Sequence, residues 1–489
     1  MSAPAAPVTP PRPAPVAPRR VPKKRTTELG LLLFGMVVVL AYAIAAEGGL
    51  NHRVRADVWV QPALLTIFFV AFHFVVRIAA PYADPVFVPA VATLNGLGVA
   101  FLRRLDLGAA KTGHASASPF TGDSMRQLGW TIAALVVAAI ALMVIRDHRS
   151  LSRYAYTLCL AGIVLVILPA ILPRRFSEVN GAKLWIKFGT IFQIQPGEFA
   201  KLALLVFFAY YLVRKREVLS LASRRFLGID FPRGRDVGPV VLVWLLSLLV
   251  LVFEKDLGTS LLYFGMFIVT LYIATERVSW LIIGLVMFFG GAVMAYLLGA
   301  VLGPFANFHE RVDIWLNPFA TPNTSGYQLV QSLLGLGTGG LFGAGPGAGQ
   351  PTQVPEVRND FIFAGVGEEI GLFGLTALLV IYLIIVERGL RAAIGVRDSF
   401  GKLLAGGLAF TLGLQVFVIV GGITKLIPLT GQTTPFMSAG GSSLMANWLL
   451  IALLMRISDA ARRPPAPPAV APGPASGPAQ LAGLATEVI

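Results

Sequence analysis

Six ionisable residues stand within or beside long apolar stretches of this chain, and their types and spacing could do chemistry. Glu198 and Lys201, in Gln195-Pro-Gly-Glu-Phe-Ala-Lys201, lie three residues apart and would share one helix face. Asp256 and Asp360 each open an apolar run, and Glu368 and Glu369 follow Asp360 after about two turns at about 1.5 Å per residue. A positioned carboxylate can take a proton from an attacking hydroxyl, and a nearby cation can stabilise an anionic leaving group. Charge at the centre of a membrane helix costs about 2.5–3.5 kcal/mol on insertion scales and commonly marks function. Plainer readings exist for each group. Glu198 and Lys201 could be a local ion pair that lets a helix enter the bilayer, and Asp256 and Asp360 could cap their helices. The adjacent Glu368 and Glu369 are harder to place without a polar cavity or a cationic partner.

A second polar stretch, Thr430-Gly-Gln-Thr-Thr-Pro435 followed by Ser438-Ala-Gly-Gly-Ser-Ser443, interrupts an otherwise apolar region. It reads either as an ordinary turn with a Ser-rich helix start or as a re-entrant loop, which membrane depth permits only where protein covers it or it lines a cavity. Gly335, Gly337 and Gly340 match G-x-G-x-x-G, but no strand precedes them and no βαβ unit surrounds them, so the match is chance. His309 and Glu310 lack the second histidine of a zinc helix. Cys159 is the single cysteine, so an intrachain disulfide and a thiolate metal site are excluded.

The elements that must position these groups are membrane helices. The chain has 489 residues, 56% hydrophobic and 13% charged, against about 25% charged in soluble domains, which excludes a soluble globule. Apolar runs long enough to cross about 30 Å of hydrocarbon predict about twelve spans, near 29–46, 58–78, 85–102, 127–145, 153–172, 198–213, 238–253, 258–275, 278–302, 361–386, 403–424 and 440–456. The fold expected is an all-α polytopic transmembrane bundle with a long external loop, Gly303 to Asn359, between spans nine and ten; that loop holds an amphipathic helical stretch from Tyr327 to Leu336. Residues 1–27 and 461–489 read as disordered tails, 28–80 as an N-terminal hairpin and 81–460 as the core. The net charge of +15 would suggest nucleic acid in a soluble protein; here Lys and Arg concentrate on the side that holds both termini, which places the termini in the cytoplasm and implies no nucleic-acid partner. The basic residues Arg19, Arg20, Lys23, Lys24 and Arg25 before the long run from Leu29 to Ala46 suit a retained signal anchor. In this orientation all six ionisable residues fall in the outer half of the membrane, and the cytoplasmic loop Arg214 to Asp236, with seven basic residues, faces anionic lipid.

Five blocks, in one order, carry a resemblance to a known family: Gln195-Pro-Gly-Glu-Phe-Ala-Lys201, Asp256-Leu-Gly-Thr259, Asn317-Pro318 through Gly326-Tyr-Gln-Leu329, Asn359-Asp-Phe-Ile-Phe-Ala364 with Gly367-Glu-Glu369, and Gly440-Gly-Ser-Ser443. From about Pro85 to Ile457 the chain resembles the SEDS family of RodA and FtsW, and Leu426-Ile-Pro-Leu-Thr-Gly431 with Asn447 and Trp448 is closer to the RodA branch. Family members are typically ten-span enzymes that polymerise lipid II into glycan strands outside the cytoplasmic membrane, each with a class B penicillin-binding protein; the extra hairpin brings this chain to twelve. The essential aspartate of the family's His-Thr-Asp-Phe motif matches Asp360, here after Arg358-Asn359, and Gly197 stands where Ser is usual.

The resemblance implies an inverting displacement at C1 of the donor sugar, for which Asp360 is the expected base. Lys201, Arg311 and Arg358 are the expected pyrophosphate ligands, with Lys201 favoured because it lies within a span. Glu198 and Glu369 would hold Lys201, Ser442 and Ser443 would line the substrate site, and a divalent cation, Mg or Mn, could share the role of Lys201. No protein metal ligand set is expected. The alternatives are an FtsW-type septal polymerase in place of the elongation enzyme, or a flippase for the lipid-linked precursor, which would need charges along both leaflets. A non-catalytic scaffold would not require the acidic pair.

Overall fold

Each apolar run forms a helix. The structure is a computed structural model that describes residues 24–464 except 114, 115, 117, 180, 181, 189–191, 221, 227, 228, 233–237 and 255. Its long helices are α1 (Arg25–Asn51), α2 (Val60–Ala79), α3 (Phe87–Lys111), α4 (Gly122–Val144), α5 (Ala155–Ile171), α7 (Pro196–Ser220), α8 (Gly238–Phe253), α9 (Leu257–Thr275), α10 (Val278–Gly299), α13 (Ile362–Gly395), α14 (Ser399–Ile423) and α15 (Gly441–Arg462), one for each expected segment. Among the described residues ten helices are long and apolar enough to cross a membrane; α3, with Arg103, Arg104, Asp106 and Lys111 in its second half, and the short α8 fall outside that set. Shorter helices α6 (Arg174–Ser177), α11 (Ala306–Leu316) and α12 (Tyr327–Gly339) sit in the connections, and α12 forms from the amphipathic stretch with Leu329 and Val330 buried.

Three small antiparallel hairpins add to the all-α expectation: β1 (Glu178–Val179) with β2 (Ala182–Lys183), β3 (Ile186–Phe188) with β4 (Phe192–Ile194), and β5 (Ala222–Phe226) with β6 (Ile229–Pro232). The first two occupy the connection before α7 and the third the basic loop after it. The tails lie almost wholly outside the described residues, but the first helix starts at Arg25, earlier than expected. The reason is local: Arg25 is buried, pairs with Glu28 and donates to the Ala83 carbonyl, so it belongs to the core.

α14 and α15 are the central helices, with 72% and 83% of their apolar windows buried, whereas α10 has 17% buried and lies at the periphery. Trp448 of α15 packs against Phe69, Phe72 and Phe436 at ring distances of 5.8, 5.4 and 6.0 Å, locking the N-terminal hairpin to the centre. At one end of the bundle Tyr82 N donates to Asp459 (2.8 Å) and His148 pairs with Asp398 (2.9 Å). The connections after α1, α3, α5, α8, α10 and α14 meet at the opposite end, the site end.

α13 is not one continuous helix. Gly371 has φ +67° and ψ −172°, which separates a short first piece, 362–370, from the long remainder. A Cβ at Gly371 would stand 2.3 Å from Gly343 N and 2.6 Å from Leu341 O, so the break requires glycine by both conformation and space. The chain after α12 heals it: Ala344 N and Gly345 N donate to the carbonyls of Glu368 and Glu369 (2.8 and 3.0 Å), while Leu372 N and Phe373 N donate to Gly340 and Leu341 (2.9 and 3.1 Å). Glu368 and Glu369 therefore close a short helix beside a loop, rather than lying two turns down a continuous span.

Candidate active site

The stretch 424–440 is the polar loop expected to need cover, and its buried members are held by helices on several sides. Gln432 Nε2 donates to both oxygens of Asp256 (3.2 and 3.3 Å), Gln415 Nε2 to Thr433 O (3.4 Å), Asn95 Nδ2 to Phe436 O (3.0 Å) and Gln127 Nε2 to Ser438 O (2.8 Å). Ala439 N donates to Arg358 O (2.8 Å), and the Ser438 hydroxyl donates to Asn359 O, so this loop fixes the backbone just before Asp360. Backbone away from water must find such partners, and a loop so satisfied is rigid.

Asp360 sits half-buried two residues before α13. Burial pushes its carboxyl up to about 7; Glu356 acts in the same direction and Arg311 against it. Arg311 of α11 faces Asp360 across Gly431: the Cβ position of Gly431 is 3.6 Å from Arg311 Nη1 and 4.0 Å from Asp360 Oδ2. Gly431 has φ +72°, a conformation that favours glycine, and so brings no side chain between acid and cation. Arg311 donates to Leu429 O at 2.7 Å, and among the described residues no carboxylate lies within ion-pair distance of it. A half-buried carboxylic acid near neutrality beside a cation without a carboxylate partner can exchange a proton and bind an anion.

Asp256 is the N-cap of α9, accepting from Thr259 N (2.9 Å) and Thr259 Oγ1 (2.6 Å), so the capping reading holds, with the tie to Gln432 added. Burial raises its carboxyl, and burial with the charge of Asp256 pushes Glu254, four residues after Val250, up to about 9. Glu254 was not singled out by sequence reasoning.

Lys201 lies buried beneath the loop with three acceptors, Glu198 Oε2 (2.7 Å), Gln415 Oε1 (3.0 Å) and Asn447 Oδ1 (3.5 Å). The expected pairing with Glu198 is present; that with Glu369 is not. Glu369 is fully buried and held by Arg104 of α3 and by the Tyr42 hydroxyl of α1 at 2.9 Å, because the break at Gly371 turns the end of the short helix toward α1 and α3. Glu368 accepts from Gln350 N at 2.8 Å. Arg358 is committed to Asp123 and, at 3.5 Å, to Asp106. Ser442 Oγ accepts from Gln195 N (2.9 Å), which ties α15 to the start of α7, whereas Ser443 Oγ accepts from Asn447 Nδ2 (3.2 Å) within α15 itself. The structure thus brings Asp360 and Arg311 together, places Lys201, Glu198, Ser442 and Ser443 in one buried polar layer, and sets Glu369 and Arg358 in separate ion pairs. Tyr42, Arg104, Gln415 and Gln432 carry the site without a sequence signal, save that Arg104 stands with Arg103 and Asp106 in the charged second half of α3. Among the described residues no group of three or more His, Cys, Asp or Glu could hold a metal ion.

The family model for the cell cycle proteins FtsW, RodA and SpoVE matches residues 85–463. The peptidoglycan glycosyltransferase RodA of Mycobacterium tuberculosis is 47% identical over 447 residues, which cover 91% of this chain and 92% of that protein. A probable peptidoglycan glycosyltransferase FtsW of Geobacter metallireducens is 34% identical, covering 67% of this chain and 82% of that one. In the solved structure of a peptidoglycan synthase complex that coordinates polymerization and crosslinking, one chain superposes with a TM-score of 0.57 at 26% identity, covering 77% of this chain and 97% of that chain. With the matched model spanning every motif of the site and the higher identity falling to RodA, the chain belongs to the FtsW/RodA/SpoVE family, on its RodA branch.

Proposed function

We infer that this chain is a peptidoglycan glycosyltransferase of the elongation type, polymerising lipid II into glycan strands at the outer face of the cytoplasmic membrane. The similarity to RodA over nearly the whole of both chains supports the activity, and the excess of Lys and Arg on the membrane side that holds the termini supports the orientation. The observation that carries the mechanism is the Asp360 carboxyl, raised toward neutrality and open to Arg311 across Gly431.

In this reading the 4-hydroxyl of the acceptor sugar gives its proton to Asp360 as its oxygen attacks C1 of the donor. The bond from C1 to the pyrophosphate oxygen breaks, the electron pair leaves with the polyprenyl pyrophosphate, and the configuration inverts. Arg311 is the cation best placed to meet that leaving charge, since Lys201 and Arg358 are already engaged with carboxylates. Lys201, with Glu198, Gln415, Asn447, Ser442 and Ser443, then holds the floor under the reacting groups. A class B penicillin-binding protein is the partner class, a reading supported by the structural neighbour from a polymerising and crosslinking complex. The test is polymerisation of lipid II by purified protein in detergent, with and without such a partner. Absence of polymer from folded protein under both conditions would overturn the assignment.

A further inference from the structure

The helices α1 and α2 lie outside the matched segment 85–463, yet α1 reaches the site. The Tyr42 hydroxyl donates to Glu369 Oε2 at 2.9 Å, while Arg104 pairs with the other oxygen and also donates to the Gly349 carbonyl. Further along α1, its backbone lies against the loop that precedes the short helix: a Cβ at Gly347 would stand 2.0 Å from Ala46 O, and one at Gly49 would stand 2.1 Å from Pro346 O. That loop also grips Glu368, through Gln350 N. The piece 362–370 thus has its far end fixed twice by α1, once through Glu369 and once through the loop, and its near end carries Asp360. Nine residues of helix span about 14 Å and move as one body.

We propose that Tyr42 is a positioning residue for the polymerisation step: from a helix outside the family core, it holds Glu369 and so sets the short helix that presents Asp360 to Arg311. The inference rests on Asp360 being the base. A side chain that merely filled space between α1 and α3 would need only its ring. What distinguishes the two roles is the hydroxyl, the one atom of Tyr42 that touches the short helix by hydrogen bond.

The test is Tyr42→Phe in the full chain, assayed with lipid II across a pH series beside Asp360→Asn and wild type. Loss of a hydrogen bond to a buried carboxylate should lower kcat about tenfold. KM should stay within about twofold and the thermal midpoint should hold, because the Arg104 pair keeps Glu369 satisfied. The acid limb of the pH–rate profile should move down as a looser Asp360 becomes better hydrated. Replacing Tyr42 by p-aminophenylalanine, which keeps the ring and restores a donor, should recover kcat. Wild-type kcat with an unmoved acid limb in Tyr42→Phe, while Asp360→Asn is inactive, overturns the positioning role and leaves the base intact. A fall in kcat matched by a fall in thermal midpoint, with no pH shift and no rescue, also overturns it. Near-normal polymer from Asp360→Asn removes the base and this proposal with it.

Discussion

Asp360→Asn separates chemistry from folding because the two effects have opposite signs. As a base, Asp360 must be ionised, and with its carboxyl pushed up to about 7 only about a tenth is ionised at pH 6 and about nine tenths at pH 8. Polymerisation should therefore rise roughly tenfold over that interval, and Asn, unable to accept the proton, should lose about 10² to 10⁴ in rate at any pH. Stability runs the other way. A carboxyl raised above its ordinary 3.8 by burial favours the folded state when protonated, and that contribution is lost as pH climbs through about 7. The cost of ionising it in place is on the order of 4 kcal/mol at most, reduced because solvent screens a half-buried group. Asn carries no such charge, so the variant should be at least as thermostable as wild type at pH 8. The assay is lipid II polymerisation in detergent at pH 6, 7 and 8 with matched protein, read as glycan length on gels, beside thermal unfolding of the same samples. Substantial polymer from Asp360→Asn, or a wild-type rate flat from pH 6 to 8, would refute the reasoning and leave Glu254 and Asp256 as the next carboxylates to test.

Arg311→Gln removes the cation that holds the Asp360 carboxyl down, so the acid limb of the same pH series should move to higher pH while the maximal rate falls; an unmoved limb would show that the two groups do not sense each other. Asp256→Asn preserves an N-cap and should retain most activity, whereas Asp256→Ala should lose about 0.5–2 kcal/mol of stability in a thermal-shift assay. Arg104→Ala leaves Glu369 buried without its guanidinium and should destabilise the protein by about 3–5 kcal/mol, with Glu369→Gln in the same chain recovering part of the loss.

The long helices were readable because a run of apolar residues long enough to span hydrocarbon is a one-dimensional signal, and each expected segment contains a helix. The cap at Asp256 was readable for the same reason, since a cap and its helix are neighbours in sequence. The partner of Glu369 was not: Arg104 lies 265 residues away and Tyr42 lies 327 away, and nothing local couples them. The split of α13 was hidden too, because a glycine in an apolar run reads equally as helix, and only the approach of Gly343 to Gly371 decides it. The hairpins before α7 escaped because strands of two and three residues carry no period. Lys201 was placed correctly with Glu198 at three residues' spacing, but its amide partners come from α14 and α15.

The discontinuity at Gly371 also divides labour mechanically. The remainder of α13, with Leu372, Phe373, Leu383 and Ile394 exposed, is the part that meets lipid, while 362–370 is buried almost throughout. A span adapts to a thicker or thinner bilayer chiefly by tilting, and in an unbroken helix that tilt would swing everything attached to it. Here the backbone hydrogen bonds to 340–345 hold both sides of the break, 368 and 369 of the short piece and 372 and 373 of the lipid-facing shaft, so the loop splints the two pieces at the angle that Gly371 sets. The break therefore makes a splinted corner: the direction of the short helix that follows the acid is set by Gly371 and the loop, not by the axis along which the remainder of α13 runs.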